Sequence, residues 1–361
     1  MTFPYISIEG SPSARGQQYG ERARPFIEKS LEIYLPAFAA KGLEWSRVHA
    51  LASEFAESLQ AYEPEYVEEM EGIARGASLD LEHIVAINAR TEILYWQSEG
   101  CTGAACMPEV TAEGHVLLGQ NWDWRPACQE SAIILHIVPD RGPEILTFVE
   151  AGLLGRAGLN SAGIGVTGNF LQSNRDFGRR GIPIPFIRRR ILSSESLAEA
   201  IGWVVRTPRA FSSNHLIADA GGFAIDCESA PERVFFLYPT DGILEHSNHF
   251  CSPVAQMCLE DTGIARYPDT LYRDKRVRSK LMEASGKVNR ETYMSAFRDH
   301  YGLPNSVCRH TAKRIDGTEI MTVSSLIMDL EERSLWVAPG PVCINDFVNY
   351  KLGKGSSADA I

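Results

Sequence analysis

The chain has 361 residues, 44% of them apolar and 22% charged, and a formal net charge of −11. This length allows one large domain or two, at roughly 100–200 residues each, with a core that needs no disulfide or metal to hold it. The acidic balance repels phosphate backbones and excludes nucleic acid as a natural partner.

The first 11 residues lack the basic-then-apolar order of a secretory signal. No apolar run approaches the ~18 residues that span a bilayer. The expectation is a cytoplasmic protein without a membrane partner. Eight cysteines are scattered along the chain and in that setting read as free thiols.

Residues 12–98 read as helical. "SARGQQYGERARPFIEKSLEIYL" spaces Tyr19, Phe26, Ile27, Leu31 and Tyr34 as a helix face does. "PEYVEEMEGIARGAS" begins with Pro at a helix start and stops near Gly76. The texture changes at Gly100. "HVLLGQNWDW", "SAIILHIVP" and "EILTFVEAG" are short β-type runs. "GLNSAGIGVTGNFL" reads as two close-packed strands with a tight turn; its glycines match neither a phosphate loop nor a dinucleotide fingerprint. Residues 184–206 read as helical, "NHLIADA", "GFAIDCE" and "RVFFLYP" as strands, 268–300 as helical, and "EIMTVSSLIMDL" and "RSLWVAP" as strands. The sequence "KLGKGSSADAI" reads as a polar tail without a peroxisomal ending. A helical N-terminal piece followed by a strand-rich body makes the fold class α+β.

Four stretches carry chemistry. Cys101 follows Gly100. A thiol attacks acyl carbon as thiolate, so it needs a base beside it. A cut between Gly100 and Cys101 would supply one, because an α-amine has a pKa of about 7.7–8.0. The thiol could open that bond itself by attacking the Gly100 carbonyl, forming a thioester that water resolves. Otherwise Cys101 is a buried residue at a strand start. In "GQNWDW" Asp123 could orient a neighbouring amine through a charge-assisted hydrogen bond, or cap a turn. In "EHSNHF" Asn248 offers an amide donor to a developing oxyanion. His246 and His249 there, with Cys101 and Cys106, would compose a zinc site as the competing reading. In "NSVCRH" Arg309 could hold a substrate carboxylate bidentately, or sit in a structural ion pair. The charged run "LYRDKRVRSK" reads as a solvated helix face, with Arg273 and Arg276 as optional anion ligands.

In chain order, "INARTEI" at 87–93, "GCT" at 100–102, "GQNWDW" at 119–124, "SNHLIADAGG" at 213–222, "HSNH" at 246–249 and "SVCRH" at 306–310 resemble the isopenicillin N acyltransferase family. The resemblance runs from about residue 5 to residue 345. It implies an N-terminal nucleophile hydrolase fold, a four-layer αββα sandwich. It implies a helical pro-segment 1–100, a body 101–345 and a tail 346–361 in one composite domain. Self-cleavage between Gly100 and Cys101 would give fragments of 100 and 261 residues that stay associated. By position, Cys101 is then nucleophile and, through its α-amine, base. Asp123 orients that amine, Asn248 builds the oxyanion hole and Arg309 binds substrate. No cofactor and no metal are implied. The expected activity is hydrolysis or acyl transfer on a small N-acyl amino compound or peptide through an acyl-thioester. The alternatives are an acyl-CoA-dependent acyltransferase of β-lactam type and a ligand-binding relative that never cuts.

Overall fold

The computed structural model describes residues 2–94, 100–176, 181–314, 317–353 and 359–360. Strand β1 (Tyr5–Gly10) leads into helices α1 (Pro12–Ala39), α2 (Trp45–Tyr62), α3 (Pro64–Ala77), α4 (Leu81–Asn88) and α5 (Arg90–Leu94). Residues 95–98, read as helical from the sequence, lie outside the described residues. The body opens with β2 (Gly100–Cys106), β3 (Leu117–Trp124), α6 (Cys128–Ser131), β4 (Ala132–Pro139), β5 (Ile145–Glu150), β6 (Ala157–Asn160) and β7 (Ile164–Thr167). Helices α7 (Ile184–Leu192) and α8 (Leu197–Arg206) precede β8 (Ser213–Asp219), β9 (Phe223–Ala230), β10 (Arg233–Leu237) and β11 (Ile243–His246). Then come α9 (Pro253–Cys258), α10 (Thr270–Met282), α11 (Arg290–Phe297), β12 (Ala312–Lys313), β13 (Glu319–Asp329), β14 (Ser334–Pro339), β15 (Val348–Lys351) and β16 (Asp359–Ala360).

The strands form two sheets. One runs β1-β4-β5-β6-β7-β8-β9-β10; the other runs β11-β2-β3-β13-β14-β15-β16, with β12 on β13. All pairings are antiparallel except β1 with β4. Helices α1, α7 and α8 pack on the first sheet, α10 and α11 on the second, and β3 and β2 face β7 and β8 across the middle. The result is the αββα sandwich. Strands covered on both sides carry no polar face, which is why "AIILHI" of β4 and "ILTFVE" of β5 are buried throughout.

Two details anchor the N-terminal helices. Ser11 caps α1 by accepting from the Ala14 N–H, with Pro12 at its first turn. Gly16 and Gly20 of α1 then lie against α3. A methyl on Gly16 would stand 2.1 Å from the Glu69 carbonyl, and one on Gly76 2.3 Å from that of Gln17. The two backbones therefore cross at a distance that only glycine permits. Further on, Tyr34 and Arg90 both hydrogen-bond the buried Glu150 carboxylate of β5, and the Tyr19 hydroxyl donates to the Leu153 carbonyl.

The structure adds elements that the periodicity does not announce. Strand β1 precedes residue 12, with Ile6 and Ile8 buried against β4. The helical stretch 184–206 is two helices. Ser193 ends α7, and Ser196 caps α8 by accepting from the Glu199 N–H. Residues 348–351 pair with β14, and Tyr350 is buried there.

Candidate active site

Strand pairing alone brings the first two candidate residues together. In the β2–β3 ladder Gly100 stands opposite Asp123 and Cys101 opposite Trp122. On the far side of β3, Asp123 stands opposite Thr322 of β13, next to a register shift between Thr322 and Ser324. Side chains alternate along β2. Cys101 joins Trp122 in the core between the sheets, while Ala104 and Cys106 join the cluster under α10 and α11. Cys101 is fully buried, as is all of β2. The Arg156 guanidinium lies 3.9 Å above the Trp122 ring.

The backbone of Cys101 is the meeting point of four side chains from three other segments. Its N–H donates to Asn248 Oδ1 at 2.9 Å. Its carbonyl accepts from Arg273 Nη1 at 2.7 Å, from Asn169 Nδ2 at 3.2 Å and from Ser247 Oγ at 3.2 Å. Asn248 Oδ1 also accepts from Arg273 Nη2 at 2.8 Å. Two donors on one side fix the amide's orientation, so Nδ2 faces the Phe170 carbonyl at 3.0 Å. An amide nitrogen carries two hydrogens, and this contact uses one.

Around that backbone runs a buried network of two carboxylates and two guanidiniums. Arg309 Nε donates to Asp123 Oδ2 at 2.8 Å, and Thr322 Oγ1 donates to Asp123 Oδ1 at 2.7 Å. Arg309 also pairs with Asp269 at the head of α10. Arg273, one turn along α10, returns its Nε to Asp269 at 2.8 Å and places Nη1 3.9 Å from Asp123. Burial opposes the Asp269 carboxylate, but Arg273 and Arg309 overcome it and hold its pKa below the usual range. Burial likewise opposes the Arg309 charge, and Asp123 and Asp269 raise its pKa.

Asp123 lies directly against Gly100. A methyl on Gly100 would meet the Asp123 Cβ and Oδ2 at 2.9 Å each, and Arg314 Nη2 at 3.4 Å. Arg314 stacks on Tyr267, 4.4 Å from its ring; burial lowers its pKa to about 10, so it remains a cation at neutral pH. Phe170 also edges a cavity of only about 10 Å³, lined in addition by Leu153, Arg90, Arg156 and Arg188.

Cys101, Asp123 and Asn248, singled out from sequence, thus lie in one place. Arg309 reaches it as well, but the residue is 2% exposed and its guanidinium is engaged by Asp123, Asp269 and Asn305. The zinc grouping of Cys101 and Cys106 with His246 and His249 is not assembled. His246 Nε2 sits 2.8 Å from Glu228 and its Nδ1 2.8 Å from the Ser247 carbonyl, while His249 Nδ1 is 2.9 Å from Thr270 Oγ1. Asp226 and Glu228 overcome burial to keep His246 protonated well above its ordinary pKa, whereas burial drives His249 down to about 4. Arg276, the other optional anion ligand, pairs with Asp299. Sequence reading missed Asn169, Ser247, Asp269, Thr322 and Arg314. Of these, Asn169 had a signal in following a glycine-rich strand pair, and Ser247 in standing beside Asn248 within "EHSNHF".

No described helix is long and apolar enough to cross a membrane. A family model described as acyl-coenzyme A:6-aminopenicillanic acid acyl-transferase matches residues 110–340, more than half of the chain. The 40 kDa form of acyl-coenzyme A:6-aminopenicillanic-acid-acyltransferase from Emericella nidulans is 30% identical over 323 residues, 84% of each chain. An uncharacterized protein of Archaeoglobus fulgidus is 25% identical over 343 residues, which cover 79% of this chain and 56% of that one. Among solved structures, a mutant conjugated bile acid hydrolase from Clostridium perfringens covers 70% of this chain and 97% of its own. Its TM-score is 0.47 and its identity 16%. Penicillin V acylase from Agrobacterium tumefaciens covers 70% and 87%, with TM-score 0.48 and 11% identity. On the family match and the fungal relative, this chain belongs to the acyl-coenzyme A:6-aminopenicillanic acid acyl-transferase family.

Proposed function

We propose that this protein is a self-processing cysteine amidohydrolase or acyltransferase. It cuts itself between Gly100 and Cys101 and then acts on small N-acyl amino compounds or peptides. The observation that carries this reading is the convergence on the backbone of one residue, Cys101, from both of its peptide groups. Asn248 takes the Cys101 N–H, three donors take the Cys101 carbonyl, and Asp123 presses on Gly100. Strand backbone in a ladder needs none of these side chains for its own hydrogen bonds.

After the cut, the Cys101 nitrogen is an α-amine already held by Asn248 Oδ1, with Asp123 one residue away. The amine takes the thiol proton, and the thiolate attacks the substrate's acyl carbon. The second Nδ2 hydrogen of Asn248 stabilises the oxyanion. Collapse expels the amine or thiol leaving group, which takes the proton, and leaves an acyl-thioester on Cys101. Water resolves it as hydrolysis, an amine as transfer. Arg309 acts as a positioning residue for Asp123, a different role from the substrate ligand expected at sequence level. The upstream fragment stays bound through β1–β4 pairing and the Tyr34–Glu150–Arg90 contacts.

A second reading, acyl transfer from acyl-CoA to a β-lactam amine, follows from what the fungal relative's name says of that protein. A denaturing mass measurement on the purified protein tests the cut, and fragments meeting at Gly100/Cys101 are expected. A fully active protein that is one unbroken chain removes the proposed base, and an intact inactive chain favours a ligand-binding relative. Turnover of N-acyl amides and acyl-CoA, with and without added amine, separates the two catalytic readings.

A further inference from the structure

Away from Cys101, three loops bring four soft donors to one point. His300 follows α11, Cys308 and His310 lie two residues apart in the segment before β12, and Cys343 follows β14. One donor atom from each lies within 4.8 Å of the other three. Cys343 Sγ is 3.3 Å from His310 Nε2, and the His300 and His310 rings meet edge to face at 5.1 Å.

We infer that His300, Cys308, His310 and Cys343 form a structural Zn2+ site of the Cys2His2 type. Zinc bonds of about 2.3 Å to sulfur and 2.0–2.1 Å to nitrogen put tetrahedral ligands roughly 3.3–3.8 Å apart. The 3.3 Å separation of Cys343 and His310 already meets that spacing, and the 4.8 Å limit leaves the others within reach by side-chain rotation. The donor chemistry is also selective. Two thiols and two imidazoles suit zinc, whereas calcium and magnesium take oxygen ligands. Four protein ligands close the coordination shell, so the site is structural rather than catalytic.

The fold gives such a site a purpose. Cys308 and His310 flank Arg309, whose guanidinium holds Asp123 and Asp269. The segment 299–311 has little regular structure, and apart from the ion pairs of Asp299 and Arg309 it is held by individual hydrogen bonds such as Cys308 N–H to the Asp299 carbonyl at 3.0 Å. A metal tying it to the loop after β14 would fix that segment on both sides of Arg309. Binding releases the proton of each thiol: Zn2+ plus two Cys–SH gives a neutral Zn(Cys)2(His)2 centre and two H+.

The test uses the full chain, purified without chelator and then reconstituted with Zn2+. About one zinc per chain is expected by elemental analysis. Co2+ exchanged into the site should show thiolate-to-metal charge-transfer bands and the visible intensity of a tetrahedral ion. His300 is exposed, so His300→Ala should fold, yet lose zinc to a chelator at least ~10-fold more readily. The double variant Cys308→Ser/Cys343→Ser should bind no zinc and show no cobalt bands, with circular dichroism reporting whether it folds. Substoichiometric zinc after reconstitution, or zinc retention unchanged in His300→Ala, overturns the assignment. So does a Cys308–Cys343 disulfide in non-reducing peptide maps, which makes the pair a redox element instead. None of these readouts depends on whether the chain cuts itself or turns over substrate.

Discussion

Two buried ion networks in this molecule have nearly the same parts and different purposes. Between α1, α3 and α7, Glu69 accepts from Arg15 at 2.7 Å and from Arg189 at 3.1 and 3.2 Å. Between β3 and α10, Asp123 and Asp269 share Arg309 and Arg273. The first network ends on ordinary backbone: Arg15 reaches the Gly10 carbonyl and Arg189 the Leu154 carbonyl. It welds three helices where glycine backbones cross. The second ends on Gly100 and Cys101. Buried charge is therefore a poor marker of a site by itself. What distinguishes the second is where its spare hydrogen bonds terminate.

The sharpest way to break that distinction is to remove the thiol. Cys101→Ala leaves both networks in place but deletes the nucleophile, so turnover falls by at least ~10⁴-fold and the chain stays uncut in a denaturing mass measurement. Normal turnover in that variant would show that the second network surrounds a merely structural strand.

The next comparison sets one substitution in each network against the other. Glu69→Gln leaves two buried guanidiniums without their carboxylate and should cost about 3–5 kcal/mol in denaturant unfolding, with turnover per folded molecule unchanged. Arg273→Lys keeps the charge but loses the planar fork that spans Asp269, Cys101 and Asn248. It should slow processing and turnover roughly 10²-fold at a smaller cost in stability. If the two variants lose rate and stability in the same proportion, the networks do not differ in kind.

Gly100→Ala probes the contact between the second network and the bond to be cut. Its methyl meets Asp123 at 2.9 Å, so β2 or the carboxylate must shift, and fragment formation should slow by about 10-fold. Once cut, residue 100 is the free end of the retained upstream fragment and is no longer tied covalently to Cys101, so turnover per mole of Cys101 terminus should stay close to that of the parent. A parental processing rate would mean that Asp123 does not govern the geometry of this bond.

The same contrast explains what the sequence could reveal. Cys101, Asp123 and Asn248 were legible because each sits in a short, compositionally odd motif at a strand end or loop. Arg273 was read as a solvated residue or an anion ligand rather than as a clamp on Cys101, because "LYRDKRVRSK" is so rich in charge that its buried residues, Thr270, Arg273, Asp274, Val277 and Leu281, do not stand out. Arg309 was read as a substrate ligand or an ion-paired residue, and its partner could not be named because Asp269, 40 residues upstream, meets it only through the tertiary fold. Most strands of the body follow from their apolar runs. Strand β2, "GCTGAAC", does not, because small residues buried on both faces show neither alternation nor hydrophobic mass. The quartet of His300, Cys308, His310 and Cys343 has no ligand spacing in sequence; three loops assemble it.

The smallest effect concerns a third buried charge, one that neither network neutralises. Glu92 of α5 accepts from the Ile184 N–H at 2.9 Å through Oε1, and its Oε2 has no hydrogen-bond partner among the described residues. It edges an apolar cavity of about 330 Å³ lined by Leu43, Leu51, Phe55 and Ile93. Burial outweighs the Ile184 bond and the fields of Arg90 and Arg188, and raises the Glu92 pKa from 4.5 to about 7. The sign follows from linkage. The folded protein keeps a proton that the unfolded chain gives up, so this group's contribution is complete below the unfolded pKa and fades as pH rises through about 7. Glu92→Gln keeps the acceptor for Ile184 and has no proton to lose. Urea unfolding should therefore find the variant close to the parent near the unfolded pKa of 4.5, increasingly more stable than it as the pH rises from there to about 7, and ahead by a constant margin above that. Parallel pH profiles for the two proteins would mean that Glu92 is as ionised as any surface carboxylate. Buried charge without a guanidinium beside it would then be tolerated here on the strength of one backbone hydrogen bond.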